Sequence, residues 1–195
     1  DVYKRQGLVQ AIDPDGNVVA GILKPGAVLA EGYSLKTGFG GEAAMLFSNG
    51  TVATLEPRSQ VKIASFLQNS LDAGDQKLSE VEEEPSSSQM NLDLDTGSLV
   101  VQTKKLDRTS SFTIDSPVGT AVIRGTQFQM GISPTGETKL DVSTSSVAFT
   151  PTGGTPVLVS QGKGLDISST GEVNQRPIDP VISINISTKN SVASN

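Results

Sequence analysis

The sequence predicts an all-β protein in which antiparallel strands form a two-sheet β-sandwich or a jelly-roll-like fold. Apolar and polar residues alternate over many short stretches, as they do in strands that bury one face. Glycine-containing turn signals separate these stretches at Asp15-Gly16, Asn49-Gly50 and Pro134-Thr135-Gly136. A weak helical period is found only over residues 67–78. Many short strands joined by tight turns favour two packed antiparallel sheets.

Residues 1–6 are predicted to be a sequencing-adapter scar that does not belong to the natural protein. Their sequence, Asp1-Val2-Tyr3-Lys4-Arg5-Gln6, is what the transposase end used in sequencing libraries encodes. We therefore leave them out of the fold prediction. Removing one acid and two bases changes the formal net charge from −6 to −7. We expect the natural N-terminus, with any signal peptide or anchor, to be lost at this junction.

One β domain is predicted over residues 7–167. A first strand block covers residues 7–66, an acidic loop covers residues 67–91, and a second strand block covers residues 92–167. Alternation is clearest in the second block. The residues that it places on the core face are Phe112, Ile114, Phe128, Met130, Ile132, Leu140, Val142, Val147, Phe149, Val157 and Val159. We expect these side chains to form the centre of the core.

The acidic loop carries most of the net charge. Residues 72–95 hold eight acids against one base, Lys77. The acids are Asp72, Asp75, Glu80, Glu82, Glu83, Glu84, Asp93 and Asp95. The stretch from Glu80 to Ser88 has too little apolar area to offset the entropy lost on ordering it. We expect an exposed loop between the two blocks; a docking surface for a basic partner is the alternative.

Residues 168–195 form a tail rich in Ser, Asn and Pro. Ile182, Ile184 and Ile186 alternate with polar residues, which predicts one final strand. A linker to a further domain is the alternative.

The composition excludes several classes of function. The 195 residues include no His and no Cys, so Ser-His-Asp and Cys-His catalytic systems, disulfides and metal sites with nitrogen or sulfur ligands are impossible. Acidic residues outnumber basic ones by 21 to 15, which disfavours nucleic acids and anionic membranes as partners. No apolar run reaches the ~20 residues of a transmembrane helix. We expect a non-enzymatic chain that uses no cofactor and no metal.

Asp95-Thr96-Gly97-Ser98 is the one string that imitates a catalytic motif. Aspartic proteases bring two Asp-Thr-Gly copies together so that two carboxylates share a proton. This chain holds one copy, and Asp93 interrupts the apolar triplet that precedes the retroviral-type motif. We expect a β-turn in which Gly97 takes a backbone angle closed to other residues. An aspartic protease stays open as an alternative.

Two stretches, residues 35–55 and residues 111–130, combine glycine-containing turns with alternating strands, and together they resemble the FecR domain of bacterial proteins. Residues 35–55 are similar to its first block, which has a Thr-Gly, a strand, an Asn-Gly turn and another strand. Residues 111–130 resemble its signature, in which Pro117-x-Gly119 precedes an apolar pair, Arg124-Gly125-Thr126 and an alternating strand. The resemblance covers about residues 7–167.

The resemblance implies an all-β domain outside the cytoplasmic membrane, either periplasmic or extracellular. In the best-known members this domain belongs to an anti-sigma regulator. The implied function is a non-catalytic interaction or signalling domain of the cell envelope with a protein partner. This chain departs from that pattern, because no cytoplasmic anti-sigma segment or transporter-contacting domain is recognisable in it. A structural or adhesive module of a larger surface protein is the alternative.

We predict structural roles for the signature residues Pro117, Gly119, Arg124, Gly125 and Thr126. Pro117 fixes its own φ and keeps the residue before it extended, which ends a strand. Gly119 and Gly125 allow bends or close backbone approach at sheet edges. Arg124 is expected to bind loop carbonyls or a carboxylate with its fork of donors. A ligand contact is the alternative role for Arg124.

Overall fold

The computed structural model describes residues 2–19, 23, 25–69 and 82–193. These residues form fifteen strands and one helix. The strands are β1 (Val2–Gln6), β2 (Val9–Ile12), β3 (Ser34–Thr37), β4 (Glu42–Leu46), β5 (Val52–Leu55), β6 (Gln60–Gln68), β7 (Ser88–Gln102), β8 (Ser111–Ser116), β9 (Gly119–Ile123), β10 (Gln127–Ile132), β11 (Thr138–Thr144), β12 (Ser146–Pro151), β13 (Val157–Ser160), β14 (Lys163–Ile167) and β15 (Val173–Pro177). The helix is α1 (Pro180–Ala193). The predicted predominance of β structure is confirmed.

The strands belong to one hydrogen-bonded network whose two halves share β7. In the half that we call sheet A, the strand order is β1-β4-β5-β7-β10-β11-β14-β15. In sheet B the order is β2-β3-β6-β7-β8-β9-β12-β13. Neighbouring strands are antiparallel except β7 and β8, which run parallel. The purely antiparallel prediction is wrong at this pair, because residues 103–110 return the chain to the start of β7 before β8 begins.

β7 bends at Gly97, where it passes from sheet B to sheet A. Gly97 has a φ of +85°, and a Cβ there would lie 2.4 Å from the Cα of Ser59. Residues 56–59 join β5 of sheet A to β6 of sheet B at the same level, and the Ser98 N–H donates to Ser59 Oγ at 2.8 Å. β7 and the connection between β5 and β6 therefore pass from one sheet to the other at the same place. The bend brings the two ends of β7 close enough for Glu83 and Lys105 to form a β-bridge.

The inward residues of both sheets form one hydrophobic core. Its fully buried side chains include Leu35, Leu55, Leu99, Phe112, Phe128 and Phe149. Of the eleven core residues that alternation predicts, ten are buried and Val157 is partly buried. The core prediction is therefore confirmed for the second strand block.

The three predicted turns are present. Gly16, Gly50 and Gly136 have φ angles between +83° and +87°, which glycine adopts without strain. Each of them donates its N–H to the carbonyl oxygen three residues earlier. These turns connect consecutive chain segments tightly, as the sequence predicts.

The acidic loop is shorter than predicted at both of its ends. β6 continues to Gln68 and β7 begins at Ser88, so both strands extend into the range 67–91. The two strands remain paired up to Gln68 and Ser88, and backbone pairing outweighs the polar composition there. Residues 70–81, which contain most of the weak helical period, lie outside the described residues.

The tail contains a strand at Val173–Pro177 and a helix, and the final strand predicted from its isoleucines is wrong. Ile182, Ile184 and Ile186 lie in α1. Asp179 is the N-cap residue of this helix, and its Oδ1 accepts a hydrogen bond from the N–H of Val181 at 2.8 Å. Ile186 is buried and Ile184 is exposed, so one side of the helix packs on the protein. No helix among the described residues is long and apolar enough to cross a membrane.

Residues 2–6 form the edge strand β1 beside β4. Backbone pairing of this kind needs no particular side chains. The position of β1 therefore does not test the adapter origin of these residues, which stays a prediction.

Candidate functional site

The first part of the predicted signature forms a tight hairpin between β8 and β9. Pro117 and Val118 are the two loop residues, and Ser116 Oγ donates to the carbonyl of Gly119 at 2.7 Å. A Cβ on Gly119 would lie 2.3 Å from the carbonyl oxygen of Thr150. The absence of a side chain at Gly119 therefore lets β9 lie close to β12.

The second part of the signature carries the chain from β9 into β10. Thr126 donates its backbone N–H to Thr103 Oγ1 at 2.9 Å, and its hydroxyl donates to the carbonyl of Thr144. Gly125 has a φ of +95° and lies against the backbone of residues 104–106. This turn is thus held between the end of β11 and the loop that follows β7.

Arg124 is exposed and lies over the same loop. Its Nη1 donates to the carbonyl oxygens of Ser110 at 3.2 Å and Arg108 at 3.4 Å. One nitrogen makes both of these contacts, and both acceptors are backbone atoms. Pro117 and Gly119 lie at the other end of β9. The signature residues therefore do not converge on one binding site.

Glu84 is a buried carboxylate next to this loop, and only 9% of its surface is exposed. Its Oε1 accepts the N–H of Asp107 at 2.6 Å and the hydroxyl of Ser110. Its Oε2 accepts the hydroxyl of Ser88 at 2.8 Å. The prediction of an exposed loop is wrong for this residue, because these donors replace its hydration. The sequence holds no signal for this, since Glu84 belongs to a run of similar acids.

Ser110 connects Glu84 with the signature. Its hydroxyl donates to Glu84, and its carbonyl accepts the hydrogen bond from Arg124. The backbone N–H of Glu84 also donates to the carbonyl of Lys105 at 3.0 Å. Glu84, near the C-terminal end of the acidic loop, is thus attached to the loop that Arg124 contacts.

The string Asp95-Thr96-Gly97-Ser98 lies inside β7, at the bend between the sheets. The predicted β-turn is wrong, because residues on both sides of the bend are paired as strand, whereas the unusual backbone angle of Gly97 is confirmed. Asp95 is exposed, and its Oδ2 accepts a hydrogen bond from Gln60 Nε2 at 2.9 Å. Within the described parts of the chain, no group of three or more Asp or Glu residues is arranged to hold a metal ion.

The helix α1 lies across the outer face of sheet A. On five adjacent strands of this face, the outward residues form one row in which each is the register partner of the next. All five are buried: Ala44, Thr54, Val100, Gln129 and Asp141. Asn185 Nδ2 donates to Glu56 Oε1 at 2.7 Å and to Gln129 Oε1 at 2.9 Å. Lys189 forms an ion pair with Glu42. This face is therefore occupied by the chain itself.

A profile of the family described as FecR protein matches residues 33–148. The chain belongs to the FecR family. Both stretches that resemble the FecR domain, residues 35–55 and 111–130, lie within the match, so the predicted family is confirmed. The match ends before β13, so the last three strands and α1 follow the FecR region. No curated protein matches this chain.

Two solved structures resemble this FecR-family chain. Both are crystal structures of a protein from Parabacteroides distasonis that is described as a putative anti-sigma factor, at 1.65 Å and 2.50 Å resolution. The TM-scores are 0.58 and 0.57, with 12% sequence identity in each case. Each alignment covers 75% of this chain and 60% of the other, so this chain spans three fifths of that protein's length. At this identity the likeness shows a shared fold.

Proposed function

We propose that this FecR-family chain is a non-catalytic regulatory domain that binds a protein partner in anti-sigma-factor signalling. The observation that carries the proposal is the FecR match over residues 33–148, together with the fold shared with a protein described as a putative anti-sigma factor. Regulation of this kind acts through contacts between proteins, so it needs a recognition surface and no reactive groups.

The geometry of the signature supports a structural role for its residues, so we propose that recognition uses other parts of the surface. Its glycines permit close backbone contacts, Thr126 connects two strands, and Arg124 contacts backbone carbonyls. The one protease-like string belongs to the bend of β7, where Asp95 is bound by an amide group. We therefore assign these residues to the fold and assign recognition to the exposed surface that α1 does not cover.

We also propose a sandwich of jelly-roll type and a location outside the cytoplasmic membrane, in the periplasm or beyond the cell. The single core between sheets A and B supports the architecture. Membership of the FecR family supports the location. Fusions of the natural gene to alkaline phosphatase, which is active only outside the cytoplasm, test the location; inactive fusions would contradict it.

The regulatory proposal is tested by sequencing the DNA that flanks the gene and by a transcription assay. We expect a sigma-factor gene beside it. Expression of the complete gene with that sigma factor should change the output of a promoter that the factor recognises, and deletion of residues 33–148 should abolish the change. An unchanged reporter would contradict the proposal. Tandem copies of the domain without a sigma-factor gene would instead indicate an adhesive or structural surface module.

The non-catalytic part of the proposal needs its own assay. A peptide library incubated with the chain at acid pH should stay uncut. Cleavage that a pepstatin-type inhibitor and Asp95→Asn both abolish would establish an aspartic protease instead.

A further inference from the structure

Among the residues that the structure describes, no segment covers the outer face of sheet B, whereas the outer face of sheet A lies under α1. Its outward residues form two neighbouring rows across the strands. The acidic row is Lys62, Asp93, Asp115, Thr120 and Thr150. The second row, which we call the apolar row, begins at the polar residues Asn91 and Thr113 and continues through the apolar side chains of Val122, Ala148 and Leu158. All ten residues are at least partly exposed, whereas the corresponding row of sheet A is buried.

Two carboxylates oppose each other in the acidic row. Asp93 and Asp115 are direct neighbours across the parallel pair of β7 and β8. Asp115 accepts hydrogen bonds from Asn91 Nδ2 at 2.8 Å and from Thr120 Oγ1, and both donors are uncharged. Lys62 lies opposite Asp93 on its other side. The row therefore keeps an excess of negative charge.

The electrostatic environment of Asp93 agrees with this excess. Burial first, and then the charges of Asp115 and Asp95, raise its pKa, while Lys62 lowers it. A further cation beside the two carboxylates would relieve their repulsion. Charge complementarity thus favours a basic group on this part of the face.

The apolar row supplies the second contact. Val122 and Ala148 are partly exposed, and Leu158 is 60% exposed on the edge strand β13. On the four strands that the two rows share, they lie two residues apart, or about 6.6 Å. Neighbouring strands lie about 4.8 Å apart, so Val122 is one strand and Leu158 three strands to the side of Asp115. Side chains two and four positions apart in an extended segment that crosses the strands span about 6.6 and 13 Å. One segment can therefore contact both rows.

We propose that this open face docks a basic amphipathic segment of a protein partner. Its Lys or Arg would bind the Asp93–Asp115 pair, and its apolar side chain would pack on the apolar row. An Arg would suit this position best, because its planar fork of donors can bind two carboxylates at once. The inference rests on the proposed function only in taking the occupant to be a protein.

A peptide-display selection on the whole chain tests this proposal. The probe is a random peptide library, selected in parallel on the wild type, on Asp93→Asn/Asp115→Asn, and on Glu137→Gln/Glu172→Gln. The last variant makes the same change of net charge at exposed acids away from this face. Thermal melts establish that all the chains are folded. Leu158→Ser, at an exposed position, tests the apolar row.

We expect the wild type to enrich peptides with Lys or Arg close to an apolar residue. Their affinity should fall about tenfold or more in the double Asp variant and in high salt, and less than about twofold in the double Glu variant. Leu158→Ser should weaken binding about threefold. Selection of acidic or neutral peptides, selection of none, or equal binding to both double variants would overturn the proposal.

The transcription assay separates this inference from the proposed function. If the selected peptides depend on Asp93 and Asp115 but the promoter never responds, the docking face stands and the signalling role fails. If the promoter responds but the selection shows no dependence on this pair, the signalling role stands and the docking face is wrong.

Discussion

Arg176 and Asp141 form a two-pronged ion pair that connects β15 with β11 across β14. Nη1 lies 2.6 Å from Oδ1, and Nη2 lies 2.9 Å from Oδ2. The guanidinium passes over Gly164, where a Cβ would lie 2.2 Å from Nη1. Its Nε also donates to Asp166 at 2.8 Å. Hydrogen bonds to these two carboxylates, that to Asp141 above all, raise the pKa of Arg176.

Arg176→Ala should destabilise the protein strongly, because it leaves the buried Asp141 carboxylate without its cation. Loss of one partner of a buried pair costs about 3–5 kcal/mol. Arg176→Lys should recover only part of this, since one ammonium cannot replace the fork of donors. Urea unfolding measures the loss, with Lys163→Ala, an exposed base on β14, as the control. Equal stability of Arg176→Ala and the control would contradict the structural role of the pair.

Glu84→Ala and Glu83→Ala should differ sharply although the two residues are adjacent. Removing Glu84 leaves buried donors unsatisfied, at about 1–3 kcal/mol each. Glu83 forms an ion pair with Lys105 in which both side chains are exposed, and solvent screens such pairs so that they contribute little to stability. Thermal melts of both variants measure the difference. Superimposable melts would show that Glu84 is solvated like its neighbour.

Gly97→Ala tests the origin of the bend in β7, with Gly16→Ala as its matched control. The two glycines have nearly equal φ angles, +85° and +87°, so both variants incur the same backbone strain of about 1–2 kcal/mol. At Gly16 the new methyl group meets no atom within 4 Å, whereas at Gly97 it overlaps the backbone of Ser59. We expect Gly97→Ala to lose at least about 2 kcal/mol more than the control in urea unfolding. Equal losses would show that the bend tolerates a side chain.

Arg124→Ala should lower stability by about 0.5–1.5 kcal/mol, because its contacts are hydrogen bonds at an exposed site. That loss corresponds to a fall in Tm of about 1–6 °C. Arg124→Lys should restore most of it, since a single nitrogen makes both contacts. Arg108→Ala is the control, because it keeps the carbonyl that Arg124 binds. Superimposable melting curves for all three variants would favour a ligand-binding role for Arg124.

Asp93→Asn should stabilise the protein at neutral pH. The pKa of Asp93 in the folded chain lies above its ordinary value of 3.8. Between pH 3.8 and this raised pKa, the folded chain therefore binds more protons than the unfolded chain. Stability contributed by this group is therefore lost as the pH rises through that window. Removing the like charge opposite Asp115 should raise the free energy of unfolding by about 0.2–1 kcal/mol at pH 7 and by little at about pH 3.

Melts of Asp93→Asn across the pH range check this prediction, with Asp13→Asn as a control of opposite sign. Hydrogen bonds, first from the backbone N–H of Asn17, lower the pKa of Asp13. Its charged form therefore favours the folded state above the ordinary pKa, and that stability is lost as the pH falls. Asp13→Asn should thus lower the Tm at neutral pH. A lowered Tm for Asp93→Asn at pH 7 would contradict the prediction.

The strands of the second block can be predicted from the sequence because alternation of apolar and polar residues follows directly from burial of one face of each strand. Phe112 and Ile114, or Phe128 and Met130, show which face is inward without reference to any distant residue. The parallel pair of β7 and β8 cannot be found in this way, because alternation specifies a face and not a partner.

The helix α1 is missed because its isoleucines alternate and β-branched residues favour strands. Its start does carry a local signal, since Asp179-Pro180 combines an N-cap residue with a proline suited to the first helical position. The rest is decided by distant contacts, such as those of Asn185 with Glu56 and Gln129. The contacts of Glu84 and of Arg176 likewise join residues that no local pattern relates.

The long strand β7 has consequences for how the chain folds. Gln102, its last residue, is paired with Val52 on one side and Gln127 on the other, 50 and 25 residues away along the chain. The first residues of β7 are likewise paired with β6 on one side and β8 on the other. Each pairing must close a loop before it gains any contact energy, and loops of this length slow folding. Because β7 is common to both sheets, loss of this strand removes a central strand from each, and we expect the two sheets to unfold together.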